Sequence, residues 1–318
     1  MILLFIFLVL GLAFVPGGPL AQPPPGRPAA TPPPLPEVRL PYFQFPENIT
    51  LCGEPVPLHE PSVKEALDRE FTVIVWSRAQ TTLWVKRAHR FFPDIVQRLR
   101  EKRLPLDLKY VVLVESDLRP YARSSAGALG PWQFMEPTAQ RFELKTTESI
   151  DERLDLATAT EAALRYLQTL YRQFNSWPLA LAAYNCGEGR LRKEIEAQGV
   201  NDFYHLDLPE ETERYIHRIL AAKVILENPA VYGYELPDQE HYQPLEYEVV
   251  ELVAVKEVAV RDVAAACGTY YKTIKELNPW IKARSLPPGT YRLRVPQGAS
   301  PRLKEMLKGL ISAAGELK

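Results

Sequence analysis

The chain has 318 residues, room for one sizeable domain and a smaller one at about 100–200 residues per domain. Hydrophobic content of 46% and charged content of 24% are those of an ordinary globular protein, and a formal net charge of −1 excludes the basic footprint of a nucleic-acid binder. The compositional departure is 30 prolines, many of them near the front.

Met1 to Val15 is almost wholly apolar. It is too short for a membrane span of about 20 residues, so residues 1–21 read as a secretory signal peptide or an anchor. Residues 22–47 carry Pro-Pro-Pro twice and form an expected extended linker.

Residues 48–105 are expected to be a helical extension. Ser62 and Glu65 have the spacing of a capping box, launching one helix through Leu67, Phe71, Ile74, Val75, Leu83 and Trp84. A second helix is expected after Pro93, with Ile95, Val96 and Leu99 inward. Trp76 and Trp84 fall at helical spacing and read as core.

The stretch from Leu106 to Pro137 organises the rest. Leu108, Val111 and Val112 recur at helical spacing, and the next position on that face is Glu115. A carboxylate at the inward end of an apolar stripe is neutral, paired or functional, because burying its charge is costly. Burial also raises its pKa, as a general acid requires. Ser124 to Gly130 is a run of small residues suited to tight turns or close ligand approach. Trp132, Gln133, Phe134 and Met135 follow, a set that suits a sugar: stacking surface, an amide and an adaptable thioether.

Asp155 to Phe174 is a clean amphipathic pattern. Trp177 to Tyr184 reads as a buried helix stopped by Gly187. Pro209 and the acidic residues after it open another helix, with Tyr215, Ile216, Ile219 and Leu220 inward. From Glu246 the pattern turns to period two. A strand over 247–253, helices over 261–267 and 271–278 and a strand over 289–296 give a β-α-α-β module spanning 244–298. Residues 299–318 are expected to add an exposed helix. Cys52, Cys186 and Cys267 read mainly as small buried residues. The five histidines, His59, His89, His205, His217 and His241, have no ligand spacing, so no metal site and no cofactor are expected.

Glu115-Ser116, the Ser124 to Met135 block, Ala183-Tyr184-Asn185 and Glu211-Thr212-Glu213-Arg214-Tyr215 together resemble the family 1 lytic transglycosylases over roughly residues 50–235. The resemblance implies a mainly α, lysozyme-like (goose-type) catalytic domain over 106–236. It also implies cleavage of the β-1,4 bond between N-acetylmuramic acid and N-acetylglucosamine in peptidoglycan, leaving 1,6-anhydro ends. On that likeness Glu115 is the acid/base, Ser124 bonds at the scissile link, and Gln133 and Met135 line the cleft. Tyr184 and Asn185 contact N-acetyl groups, and Tyr215 closes the site beside Glu115. Gly130-Pro131-Trp132-Gln133 departs from the family's Gly-Leu-x-Gln. The C-terminal module resembles a LysM glycan-binding module without its usual Gly-Asp-Thr-Leu turn.

The expected partner is therefore peptidoglycan, and the expected location the periplasm or cell envelope. The N-terminal segment is a candidate membrane tether, and with Cys52 as first cysteine the chain does not read as a lipoprotein. Two alternatives remain open. One is a hydrolytic muramidase using Asp117 or Glu136 as second carboxylate; the other is a non-catalytic wall-binding protein.

Overall fold

The computed structural model describes residues 41–306; the expected signal or anchor, most of the expected linker and the end of the expected C-terminal helix lie outside them. A hairpin is the first element of the described residues, with β1 (Thr50–Leu51) antiparallel to β2 (Glu54–Pro55). The hairpin is tied down by polar groups. Asp107 accepts from the Cys52 amide and from Lys223 Nζ, each at 2.7 Å. Glu54 accepts from the Trp177 amide at 2.6 Å, a carboxylate at a helix N-terminus.

Helix α1 (Pro61–Trp76) begins with proline in its first turn and has Glu60 at its cap, so the Ser62–Glu65 box does not form. The single long helix expected beyond it is two. Ser77 leaves the helical region at φ −78° and ψ 66°, and its hydroxyl donates to Val73 O at 2.5 Å while that of Thr81 donates to Ile74 O. Such bonds compete with the helical ladder. The break expected at Pro93 is also absent, since α2 (Arg78–Glu101) runs straight through it. A proline inside a helix costs about 3 kcal/mol. Burying Ile95 and Leu99 completely returns roughly 1.5–3 kcal/mol each, which offsets it. Trp84 is buried as expected, whereas Trp76 stays 42% exposed.

A 3-10 turn at Leu106–Leu108 leads into α3 (Lys109–Ser116). Tyr110, Val111, Val112 and Leu113 are all buried, so this short helix is enclosed nearly all round. After α4 (Glu136–Arg141) comes α5 (Leu156–Phe174), capped by Asp155, which accepts from the Thr158 amide at 2.8 Å. Helix α6 (Trp177–Cys186) stops at Gly187, φ +90°. Helix α7 (Glu188–Gln198) was not legible in the sequence, because only Leu191 is buried along it. Helix α8 (Glu210–Glu227) packs on α1, α3 and α6. The buried Glu70 of α1 takes Arg214 Nε at 2.7 Å and Arg218 Nε at 3.2 Å, which sets α8 against α1. One continuous apolar core runs from Ile49 to Tyr234.

The C-terminal module has a core of its own, including Val250, Leu252, Val263, Ile274 and Leu293. Strand β3 (Tyr247–Ala254) is followed by β4 (Val258–Ala259), α9 (Val260–Ala266), α10 (Tyr271–Leu277), β5 (Ser285–Leu286) and β6 (Gly289–Pro296). β3 pairs antiparallel with β6 from Tyr247↔Pro296 to Ala254↔Gly289. A small β4–β5 ladder joins the expected β-α-α-β order. Asn278 is fully buried; its Nδ2 donates to Ile274 O and Arg294 O, and its Oδ1 accepts from the Arg294 amide. The C-terminal helix is not simply exposed, since Leu303 is buried in this core.

Module and helical body are joined through Ile150, which belongs to the module's core. The Asp151 amide donates to Trp280 O and the Lys282 amide to Ser149 O, each at 2.8 Å. Arg294 Nη1 meets Asp155 Oδ2 at 2.5 Å, both side chains largely buried. Removing one partner of such a pair strands the other, at roughly 3–5 kcal/mol. Asp155→Ala, which also removes the α5 cap, is therefore expected to lower stability by about 3 kcal/mol or more in denaturant melts. Asp155→Asn, which keeps a cap acceptor, should lose less, and wild-type melting of the alanine variant would contradict this reading of the joint.

Candidate active site

Glu115 sits in the last turn of α3, where the enclosed helix opens. Its Oε1 accepts a 2.6 Å hydrogen bond from the Tyr215 hydroxyl of α8. Burial is the largest influence on its acidity and raises the pKa. The Tyr215 hydrogen bond lowers it, the Glu211 charge raises it again, and the carboxyl is pushed up to about 7. Glu115 thus holds its proton in a large share of molecules at neutral pH. Tyr215 and Tyr184 are driven well above the usual phenol range by burial and by the charge of Glu115, so both remain donors.

Tyr184, near the end of α6, donates to Trp132 O at 2.7 Å and so ties α6 to the loop after α3. The neighbouring Asn185 accepts from Thr212 Oγ1 at 2.9 Å. Its amide NH2 group has no hydrogen-bond partner among the described residues and is left to donate. These bonds bring Glu115, Tyr184, Asn185 and Tyr215 together where α3, α6 and α8 meet.

The loop between α3 and α4 is joined to this group through Tyr184. The Ser124 hydroxyl oxygen accepts from the Ala128 amide at 2.9 Å, while the Ser124 amide donates to Ala128 O. The hydroxyl hydrogen stays available. Gln133, at φ 49°, donates from Nε2 to Ala122 O at 3.0 Å and to Gly130 O at 2.7 Å. Its amide hydrogens therefore clamp the loop, leaving only the carbonyl oxygen for a ligand. Met135 is 43% exposed. The stacking surface expected of Trp132 and Phe134 is absent. Both are buried, and Trp132 Nε1 donates to Thr160 Oγ1 at 2.8 Å. An apolar ring of that size gains more in the core than at a wet cleft.

Two supports were not visible in the sequence. Gly130, at φ +84°, lies so close to Arg153 that a Cβ would stand 1.9 Å from its carbonyl oxygen. Arg153 is itself buried; its Nε and Nη2 donate to Asp151 at 2.9 and 2.8 Å. No spacing rule marks that pair. Glu211 was also missed as a neighbour of Glu115, although it stands one turn before Tyr215 on α8, an i,i+4 relation that puts both on one face.

The carboxylates considered as a second acid are occupied. Asp117 Oδ1 accepts from Trp84 Nε1 at 2.7 Å and Gln80 Nε2 at 3.2 Å, so it faces α2. Glu136 opens α4, exposed, beside Gln140 and Thr146. All three cysteines are free. Among the described residues no cluster of three metal-ligating side chains occurs.

Residues 97–206 match the transglycosylase SLT domain model, a stretch that contains every candidate site residue except Tyr215. Over 237 residues the chain is 35% identical to membrane-bound lytic murein transglycosylase D of Escherichia coli K12, covering 73% of this chain and 50% of that protein. It is 37% identical over 116 residues to peptidoglycan transglycosylase gp16 of Escherichia phage T7, covering 36% of this chain and 9% of that one. The crystal structure of the 70 kDa soluble lytic transglycosylase SLT70 of Escherichia coli aligns at 26% identity and a TM-score of 0.39, covering 56% of this chain and 30% of that one. The chain thus spans about half the length of its membrane-bound relative. Residues 97–206 of this chain belong to the transglycosylase SLT domain family.

Proposed function

We propose that the chain is a peptidoglycan lytic transglycosylase acting in the cell envelope on the β-1,4 link between N-acetylmuramic acid and N-acetylglucosamine. The observation that carries this reading is a carboxyl with a pKa near 7 whose hydrogen-bond partner is a tyrosine. Glycoside cleavage needs a proton on the leaving oxygen as positive charge develops at C1 of the sugar. Glu115 supplies it. Hydrolases add a second carboxylate as nucleophile or base, and the rival carboxylates Asp117 and Glu136 are committed elsewhere. The muramic acid C6 hydroxyl then attacks C1 and gives its proton to Glu115. The product is a 1,6-anhydro ring, with Glu115 protonated again and no water consumed. Because the attacking group belongs to the substrate, proximity replaces an activated water.

The remaining groups fit supporting roles. We assign the Asn185 amide as donor and the Tyr184 hydroxyl oxygen as acceptor to N-acetyl groups, the Ser124 hydroxyl hydrogen to the scissile region, and Gln133 and Met135 to the cleft wall. Tyr215 holds Glu115 and stabilises the carboxylate left after protonation. The C-terminal module is taken as LysM-like, on its strand–helix–helix–strand order. No helix of the described residues is long and apolar enough to cross a membrane. A second reading, hydrolysis with Glu211 as base, draws on the field that Glu211 exerts at Glu115.

Digestion of purified sacculi followed by mass spectrometry separates the readings: anhydro ends are expected, and reducing ends alone would establish hydrolysis. Glu115→Gln should cut at least about 10³-fold more slowly, the upper range of acid–base contributions, with folding and sacculus binding retained. Anhydro release at the wild-type rate by that variant would remove Glu115 from the mechanism.

Two pH experiments follow from the acidity of Glu115. The wild-type rate should fall as pH rises through about 7, because the proton donor is lost. In Tyr215→Phe the bond that favours the carboxylate is gone, so this limb should move to higher pH. A limb that moved lower would contradict that assignment. Stability should respond as well. A carboxyl whose folded pKa lies above its unfolded value of 4.5 weakens the fold progressively as pH rises from about 4.5 to about 7. Glu115→Gln should therefore gain on the wild type across that window, by at most about 3 kcal/mol, and level off above it. A constant stability difference between the two chains would count against a raised pKa.

A further inference from the structure

A cavity of about 530 Å³ lies away from Glu115, between the outward face of β3–β6 and the start of α5. Its size falls in the range of about 300–1,000 Å³ typical of ligand sites, which favour such domain junctions. One wall carries Trp280 and Tyr291, stacked at 5.9 Å between centroids and 20° between planes. The other carries Lys145 on the loop before α5.

The charge lining this cavity is unevenly satisfied. Asp155 is held by Arg294, Glu161 by Arg98 and Lys102, and Glu152 accepts from the Lys145 amide. Glu143 is 87% exposed at the side chain and 3.8 Å from Arg165. The cationic ends of Lys145 and Arg292 have no hydrogen-bond or ion-pair partner among the described residues. Glu251, opposite Arg292 in the strand ladder, makes no ion pair with it. Two unspent cations thus line the cavity, one from the loop before α5 and one from β6, and among the carboxylates around them Asp155, Glu161 and Glu152 are already committed.

We propose that this cavity binds a carboxylate-bearing stem peptide of peptidoglycan, anchoring the substrate at a second point outside the Glu115 cleft. The inference rests on the peptidoglycan reading and deepens it. Within such a polymer the N-acetylated sugar backbone is uncharged and the peptide stems carry the free carboxylates, so unpaired cations select the stem over the strand. Lys145 and Arg292 each take a carboxylate, and the exposed Val249 of β3 meets the peptide's apolar side chains.

The test uses the full chain carrying Glu115→Gln, so that nothing is cut, and calorimetry with a muramoyl tripeptide. The free-acid peptide should bind one to one and more weakly as salt rises, and the fully amidated peptide should bind at least about fivefold more weakly. Lys145→Ala and Arg292→Ala should each weaken the free-acid peptide by about fivefold. Arg261→Ala, which removes an exposed cation of α9 outside the cavity, is the charge-matched control and should leave binding as it was. Equal binding of both peptides, equal losses in all three variants, or no binding would each overturn the proposal. Anhydro-end release by the wild type is measured separately. Its presence without carboxylate-dependent binding would sink this inference alone, and its absence would sink the enzymatic reading whatever the peptide does.

Discussion

The 2.6 Å hydrogen bond from Tyr215 to Glu115 joins α8 to α3 and moderates the rise in pKa that burial imposes on the carboxyl. Desolvation alone would carry the carboxyl higher. The phenol pulls it back, and the balance near 7 suits a group that must give a proton and later take one. That balance requires α3 and α8 to keep their spacing. Glu70 with Arg214 and Arg218 fixes the N-terminal half of α8 against α1. Lys223 with Asp107 fixes its other half against the turn that leads into α3. The helical extension thereby positions the acid without touching it.

The loop after α3 is held differently, by a chain of short contacts that starts in the C-terminal module. The Trp280 carbonyl takes the Asp151 amide, Asp151 holds Arg153, and the Arg153 backbone presses on Gly130. Gln133 closes the same loop from within. A loop with five residues at positive φ, Asp117, Leu118, Gly127, Gly130 and Gln133, would be mobile in isolation. Here it is braced from beneath, so the C-terminal module helps to hold the loop that carries Ser124 and Gln133.

Legibility followed periodicity. The stripe leading to Glu115, the amphipathic run of α5, the stop at Gly187 and the β-α-α-β order were all readable because pattern and packing agree there. The failures have local causes. The break at Ser77 and the continuity through Pro93 were decided by hydroxyl–carbonyl bonds and by core burial, which outweigh the propensities of single residues. Helix α7 has no apolar stripe to read. Within the site, Glu115 and Tyr215 were legible as inward residues, and the loop as a run of small ones. Trp132 was misjudged because an aromatic beside a polar residue looks the same in sequence whether it faces the core or the cleft. Asp151 and Arg153 act through the backbone of distant residues, which no local spacing records.

The central claim is that the Glu115 carboxyl keeps its proton near neutrality inside a site without a second acid bonded to it. Carbon-13 NMR titration of that carboxyl in the intact chain measures this directly. The account predicts a midpoint close to 7 for the free protein. A midpoint near the ordinary 4.5 would contradict it, because Glu115 would then be ionised at neutral pH and have no proton to give.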